Sequence, residues 1–205
     1  MPRLDAIGNL ASTKFLVERL QAPVLAQLVA YLQRELPSAW AFTGSVAMNI
    51  HAADLDGRKI RDFGDADVQI DENRFAAFER AQEDLSSGAL LAPPAPGGVG
   101  GGNMHYRFNG LAVDLVKNKR TTAPGLSEQE TVAGIPVLSL AALRRRKMQD
   151  SQIGVDPARA GKARRDLVLL DELIGRRDAA LAALTATAQD SGFAAGLKRK
   201  RQPAI

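Results

Sequence analysis

The spacing of apolar residues along the chain changes twice, and these changes divide it into parts. Residues 12–36 carry apolar side chains at helical spacing, broken at Pro23, which predicts two helices. Residues 38–138 hold short apolar runs of strand length between turn-forming residues, and residues 139–190 return to helical spacing. The pattern predicts an α/β (α+β) fold, in which helices flank a small mixed sheet and a helical C-terminal part follows.

The predicted boundaries follow this pattern. We expect N-terminal helices packed on the core in 1–37, the core in 38–138, a helical part in 139–190 and a flexible basic tail in 191–205. Strands are predicted at 40–43, 65–71, 104–108, 111–117 and 135–138, with short ones at 88–91 and 131–132. Helices are predicted at 45–53, 72–85, 140–149, 162–174 and 178–187. Ser12 or Thr13 is expected to cap the first N-terminal helix, and Ser139 the helix over 140–149. The Asn109-Gly110 pair predicts a hairpin.

Two carboxylates stand on one face of a predicted strand. Asp65 and Asp67 are two residues apart, so their side chains project the same way, while Val68 and Ile70 turn to the opposite, buried face. Neighbouring carboxylates repel each other, and a divalent cation would remove the repulsion. Taken alone, an Asp-x-Asp is more often a pair of surface residues on an edge strand, so its interpretation depends on what accompanies it.

Three further stretches favour a functional site. Gly44-Ser45 links a predicted strand to a predicted helix, which places backbone N–H groups and a hydroxyl where a phosphate can bind. Asp114 is an acidic residue in an apolar strand, where a carboxylate needs a partner. Lys147 lies on the helix that Ser139 is expected to cap. A metal site beside a phosphate-binding turn is consistent with all of them.

These motifs, in this order, resemble the nucleotidyltransferase-fold (DNA polymerase beta-like) superfamily. Its members have a Gly-Ser turn after the first strand, an Asp-x-Asp on the next strand and a third aspartate on a later one. The matching residues here are Gly44-Ser45, Asp65-x-Asp67 and Asp114. The segment 135–147, followed by Arg165-Asp166, resembles the branch that contains abortive-infection and toxin–antitoxin nucleotidyltransferases. The resemblance covers residues 38–175.

The resemblance implies a metal-dependent enzyme that moves a nucleoside monophosphate from a nucleoside triphosphate, such as ATP, to a hydroxyl group. The implied metal ligands, for Mg²⁺ or alternatively Mn²⁺, are Asp65, Asp67 and Asp114. The implied triphosphate-binding residues are Gly44, Ser45 and Lys147, and the implied catalytic residues are Asp65, Asp67, Asp114, Lys147 and Asp166. The acceptor stays open between an RNA end, a protein hydroxyl and a small molecule. The toxin branch implies a toxin-type enzyme with an antitoxin or other protein partner.

Composition narrows the class of protein without changing this interpretation. The chain of 205 residues has no cysteine, which excludes disulfides and thiolate metal sites. No apolar run has the length of a membrane span and the N-terminus lacks a secretory pattern, so we expect a cytoplasmic protein with no membrane partner. The formal net charge is +4, and residues 198–201 carry all of that excess. Composition alone therefore does not predict a nucleic-acid-binding surface.

Other interpretations stay open on the sequence alone. The fold can serve as a binding module whose acids hold no metal, or the basic tail can make the chain an RNA-binding protein. Arg61, four residues before Asp65, either contacts phosphate or balances the nearby acids, and His51 is assigned no role. The glycine- and proline-rich run at 92–102 lacks the lysine of a phosphate-binding loop, and it is predicted to be a flexible hairpin connection or a lid.

Overall fold

The computed structural model describes residues 3–71, 74, 91–92, 103–118, 128–152 and 156–199, with side chains described within 10–71, 74, 106–116, 128–152 and 156–188. The helices are α1 (Arg3–Glu18), α2 (Pro23–Glu35), α3 (Gly44–Asp56), α4 (Leu140–Asp150) and α5 (Pro157–Arg199). The strands are β1 (Trp40–Phe42), β2 (Asp65–Asp71), β3 (Leu91–Ala92), β4 (Asn103–Phe108), β5 (Leu111–Asn118), β6 (Gln129–Val132) and β7 (Ile135–Leu138). The predicted helix over 72–85, apart from residue 74, lies outside the described residues, as do 93–102 and 200–205.

The described strands form one mixed sheet in the order β3-β4-β5-β2-β1-β7-β6. Strand β1 pairs antiparallel with β2 and parallel with β7, and β2 pairs parallel with β5. The C-terminal ends of β1 and β7 therefore lie at the same end of the sheet as the N-terminal ends of β2 and β5. This arrangement confirms the α/β class and the mixed sheet, and it determines which motifs can meet.

The core forms between the sheet and the helices packed on it. Val68 and Ile70 are fully buried, as their alternation with the aspartates predicted. The largest fully buried side chains include Trp40, Phe42 and Phe108 of the sheet and Leu25, Leu28 and Leu32 of α2. Burying a side chain of this size contributes about 1.5–3 kcal/mol. The apolar face of the sheet is thus what holds the polar edge residues in place.

The local turn and cap signals are confirmed at two points. Asn109 and Gly110 both adopt positive φ, 48° and 86°, as the two central residues of a tight hairpin between β4 and β5 require. The Ser139 hydroxyl accepts a hydrogen bond of 3.2 Å from the backbone N–H of Ala142, and α4 begins directly after it. These two signals fix where β5 and α4 begin. Strand β5 carries Asp114, and helix α4 carries Lys147.

Two helical predictions are wrong in their boundaries. Helix α1 begins at Arg3, so Ser12 is no cap; it lies inside the helix and donates a hydrogen bond of 3.1 Å to the Ala133 carbonyl oxygen. The predicted helices at 162–174 and 178–187 are one continuous helix, α5, which also includes residues 191–199. Gly175 costs about 1 kcal/mol in a helix, and the strong helix formers around it outweigh that cost. No helix of the described chain is both long and apolar enough to cross a membrane.

Candidate functional site

Three carboxylates lie on one face of the sheet, near the end at which the inner strands β2 and β5 begin. Asp67 of β2 is the register partner of Asp114 of β5, and Asp65 stands two residues before Asp67 on the same face. Residues in register on paired strands turn to the same side, and such strands lie about 4.8 Å apart. The structure therefore brings Asp65, Asp67 and Asp114 together, although Asp114 is far from the other two in sequence.

The electrostatics of Asp67 reflect this crowding. Burial raises the pKa of Asp67 above its ordinary value, and the neighbouring charge of Asp65 and, less strongly, that of Asp114 raise it further. Arg146 and Lys147 act in the opposite direction, because a nearby cation favours the ionised carboxylate. The site therefore concentrates negative charge on the sheet, and two cations of α4 lie within electrostatic range of it.

The turn between β1 and α3 packs directly against Asp67. Gly44 has a φ of +62°, a left-handed conformation that glycine adopts without strain. A Cβ atom at Gly44 would overlap Oδ2 of Asp67 and would stand 3.0 Å from its Cγ. The backbone N–H of Thr43 donates a hydrogen bond of 2.9 Å to the Asp67 carbonyl oxygen. Glycine is thus required here both by the backbone and by the closeness of the carboxylate.

The start of α3 has the features of a phosphate-binding turn. Ser45 lies in the first helical turn and is 6% exposed, and Thr43, at the N-cap position, makes no side-chain capping hydrogen bond. A helix N-terminus carries a partial positive charge and backbone N–H donors. Since Gly44 contacts Asp67, these donors lie beside the carboxylates. This is the turn at which the sequence predicted phosphate binding.

A buried carboxylate on α5 joins two cations from different elements. Asp166 is 2% exposed, and its Oδ2 lies 2.9 Å from Nζ of Lys147 on α4. Its Oδ1 accepts a hydrogen bond from Nη1 of Arg61, in the loop before β2. Asp166 of α5 therefore links Lys147 of α4 to Arg61 of the loop before β2.

Arg146 is a site residue that sequence reasoning did not single out. Its Nη1 donates a hydrogen bond of 3.5 Å to Oγ1 of Thr43, and its charge lowers the pKa of Asp67. In the sequence it is one of three consecutive arginines, 144–146. Only the way α4 crosses the β1–α3 turn separates it from its neighbours, so the sequence carries no signal for it.

Asn49 of α3 fixes the loop that carries Arg61. It is fully buried, and its Oδ1 accepts hydrogen bonds from the backbone N–H groups of Ile60, at 2.9 Å, and Arg61, at 3.2 Å. Its Nδ2 donates to the Arg61 carbonyl oxygen at 2.9 Å. A buried side-chain amide with three such bonds holds the loop firmly, so Arg61 has a defined position relative to α3.

His51, to which the sequence assigned no role, is buried on α3. Its Nε2 donates a hydrogen bond of 2.9 Å to the Leu138 carbonyl oxygen, and Glu130 lies 3.6 Å from the same atom. Burial lowers the pKa of His51, which keeps the ring neutral. The bond ties α3 to the end of β7, just before Ser139 begins α4.

The fit of a metal to this site rests on the chemistry of the side chains. Within the part of the chain that the structure describes, no three acidic or histidine side chains already form a metal-binding group. The three carboxylates nevertheless share a face, and the raised pKa of Asp67 shows repulsion that a divalent cation would relieve. Carboxylate oxygens are the ligands that Mg²⁺ prefers. The donor set therefore fits Mg²⁺ or Mn²⁺.

No family model matches the chain, and no curated protein matches it in sequence. Among solved structures, it is similar to the Megavirus polyadenylate synthase, with 12% identity, a TM-score of 0.48, and coverage of 78% of this chain and 35% of that one. It is also similar to the antibiotic-resistance factor ANT(2'')-Ia, with 16% identity, a TM-score of 0.47, and coverage of 86% and 99%. A candidate nucleotidyltransferase of Thermotoga maritima shows 20% identity, a TM-score of 0.43, and coverage of 73% and 94%.

These structural neighbours are nucleotidyltransferases, the class of enzyme that the sequence motifs resemble. The chain spans about a third of the length of the Megavirus protein.

Proposed function

We propose that the chain is a metal-dependent nucleotidyltransferase that moves a nucleoside monophosphate from a nucleoside triphosphate to a hydroxyl group. The observation that carries the proposal is the packing of the Asp67 carboxylate against Gly44, with Asp114 as its register partner. It supports the proposal because carboxylates that would hold a metal then lie beside a helix N-terminus that would bind phosphate.

In the proposed reaction the acceptor oxygen bonds to the α-phosphorus, the bond from that phosphorus to the bridging oxygen breaks, and pyrophosphate and a proton leave. Asp65, Asp67 and Asp114 would hold the metal. When bound, Mg²⁺ supplies charge stabilisation at the phosphate oxygens and activates the attacking hydroxyl. Gly44 and Ser45 would bind the outer phosphates through the N-terminal N–H groups of α3.

The remaining roles follow from the contacts of the cations. Lys147 would offset the negative charge that develops on the leaving pyrophosphate. Asp166 is a positioning residue in this proposal, because its carboxylate contacts the two cations Lys147 and Arg61. The acceptor is a hydroxyl of an RNA end, a protein or a small molecule, and the sequence resemblance to the toxin branch is what supports RNA or protein.

Calorimetry with each nucleoside triphosphate, with and without Mg²⁺, tests the proposal. Wild type is expected to bind one or more triphosphates only with the metal, and the Asp65→Ala/Asp67→Ala variant is expected to bind none. Asp62→Ala is the matched control, because Asp62 lies in the same segment with its side chain 99% exposed. The triphosphate that binds best is then used, labelled at the α-phosphate, to screen acceptors.

The outcomes separate the enzyme from a binding module. Metal-independent binding that survives in the double variant favours a module whose acids hold no metal. Failure of every triphosphate to bind wild type contradicts the proposed enzyme. Unchanged folding of the double variant, measured by thermal unfolding, makes its loss of binding attributable to the site.

A further inference from the structure

The cluster formed by Arg61, Lys147 and Asp166 has one cation more than its carboxylate neutralises. Asp166 is 2% exposed, and the side chains of Lys147 and Arg61 are 14% and 22% exposed. Holding an excess charge away from water is costly unless a counter-charge is close. The acidic face of the sheet supplies part of it, because the charge of Lys147 acts on Asp67, so the cluster borders the proposed metal site. A phosphate group bound there would supply the rest.

Arg61 does not balance the acids of β2. Its guanidinium donates to Asp166 and, at 3.4 Å, to the Asp62 carbonyl oxygen. The cations that act on the charge of Asp67 are Arg146 and Lys147. Arg61 thus balances Asp166 of α5, and because a guanidinium has five N–H donors, the donors not used in these contacts can also bind phosphate.

The loop around Arg61 is fixed to the same helix that would seat the phosphates. Asn49 holds the backbone of Arg61 through hydrogen bonds to both its N–H and its carbonyl oxygen. Asn49 and Gly44 lie on α3, five residues apart, so the loop and the helix N-terminus share one rigid element. Asp166 of α5 also holds the side chain of Arg61 through an ion pair.

We propose that Arg61 is a second triphosphate-contacting residue, held beside Lys147 by the shared carboxylate of Asp166. The inference rests on the proposed function and adds to it a residue that determines specificity for triphosphate over monophosphate. A guanidinium binds phosphate oxygens through two parallel N–H donors, whereas an ammonium acts as a point charge. Arg61 and Lys147, set at one spacing by Asp166, can contact two different phosphates of the same chain.

Binding of a triphosphate and of the matching monophosphate to Arg61→Gln tests this inference. Calorimetry uses the base that wild type binds best, as a non-hydrolysable triphosphate with Mg²⁺. The variant is expected to bind the triphosphate about ten- to a hundredfold more weakly, the range for losing charge-assisted hydrogen bonds, and the monophosphate within about twofold. Lys59→Gln is the matched control, because Lys59 is a cation of the same loop that pairs with the exposed Asp62.

The pattern of losses distinguishes contact from structure. Equal losses for triphosphate and monophosphate would show that Arg61 only shapes the site, and an unchanged triphosphate affinity would overturn the inference while leaving the proposed function standing. A wild type that binds no triphosphate overturns both. Thermal unfolding checks that each variant is folded. If Arg61→Gln is unfolded, Arg61→Lys is used instead. It keeps the charge but loses the two parallel N–H donors, so it should weaken triphosphate binding, and not monophosphate binding, by about threefold or more.

Discussion

At the scale of single residues, Asp67 is the carboxylate whose packing opposes its ionisation. It packs against Gly44, it neighbours Asp65 on its own strand, and it is in register with Asp114. Burial and these like charges raise its pKa, which means that these surroundings destabilise the ionised form. Such conflict is expected where a side chain serves a ligand more than the fold.

The pH dependence of stability should report this conflict. Because the folded-state pKa of Asp67 is raised, the native state binds more protons than the unfolded state, so Asp67 favours folding at low pH and less as the pH rises from 3.8 through the raised value. In a chelator, Asp67→Asn is therefore expected to be more stable than wild type at pH 7, with a flatter dependence above pH 4. Urea unfolding across that range measures it.

Asp62→Asn is the control for this pH experiment. A hydrogen bond from Lys59 lowers the pKa of Asp62, so its substitution should not raise stability at neutral pH. Adding Mg²⁺ should favour wild type over Asp67→Asn, since a ligand that binds only the native state stabilises it. An Asp67→Asn variant that is less stable than wild type at pH 7 without metal would contradict the account of Asp67 given above.

At the scale of elements, the junction between β1 and α3 organises the site. It supplies Gly44, which allows the approach of Asp67, and Thr43, which contacts both Asp67 and Arg146. Helix α3 then carries Asn49, which positions the loop of Arg61, and His51, which anchors the end of β7. One short helix thus sets the relative positions of the sheet, the loop and α4.

Substituting the glycine of this junction should unfold or loosen it. Gly44→Ala introduces a side chain at positive φ and a Cβ that overlaps the Asp67 carboxylate, so a loss of about 2 kcal/mol or more in the free energy of unfolding is expected. Gly64→Ala is the control, since its added Cβ would meet nothing within 4 Å and should change stability by less than about 0.5 kcal/mol. Urea titrations compare the two, and equal small effects would contradict a close packing of Gly44 on Asp67.

At the scale of the whole molecule, α5 has two different parts. Its first half packs on the body through Leu170 and Leu173 and carries Asp166. Arg176 and Arg177 then form ion pairs with Asp56 of α3 and Glu130 of β6. Residues 178–188 are all exposed, so the helix of 43 residues, about 64 Å long, continues beyond the ion pairs of Arg176 and Arg177.

Truncation separates the two parts of α5. A chain that ends at residue 188 keeps both ion pairs, so its free energy of unfolding should change by less than about 0.5 kcal/mol and its triphosphate affinity should be unchanged. A chain that ends at residue 175 also loses Arg176 and Arg177 and should be measurably less stable. If the chain ending at 188 lost nucleotide binding, or if wild type bound RNA with a steep salt dependence that this chain lacked, the tail rather than the sheet edge would be the functional surface.

The sequence by itself determined the elements and the acids. Alternation placed Asp65 and Asp67 on one face and Val68 and Ile70 on the other, because strand side chains alternate regardless of what surrounds them. The Asn109-Gly110 turn and the Ser139 cap were also local, since each depends on backbone preferences of a few neighbouring residues. The boundaries of α1 and α5 were not predicted, because packing decides where a helix without strong breakers ends.

Only the tertiary structure decided which cation serves which partner. The run from Arg144 to Lys147 consists of four consecutive cations, yet each contacts a different residue, and these partners lie in three parts of the fold. In order, their partners are Asp171 of α5, Glu128 before β6, Thr43 before α3 and Asp166 of α5. Asn49 and Arg61 likewise meet through a loop that no motif marks. Long-range contacts depend on how helices cross and on which strands pair, and residue spacing does not encode either. The shared face of Asp65 and Asp67 could therefore be predicted from the sequence, whereas the partners of the cations could not.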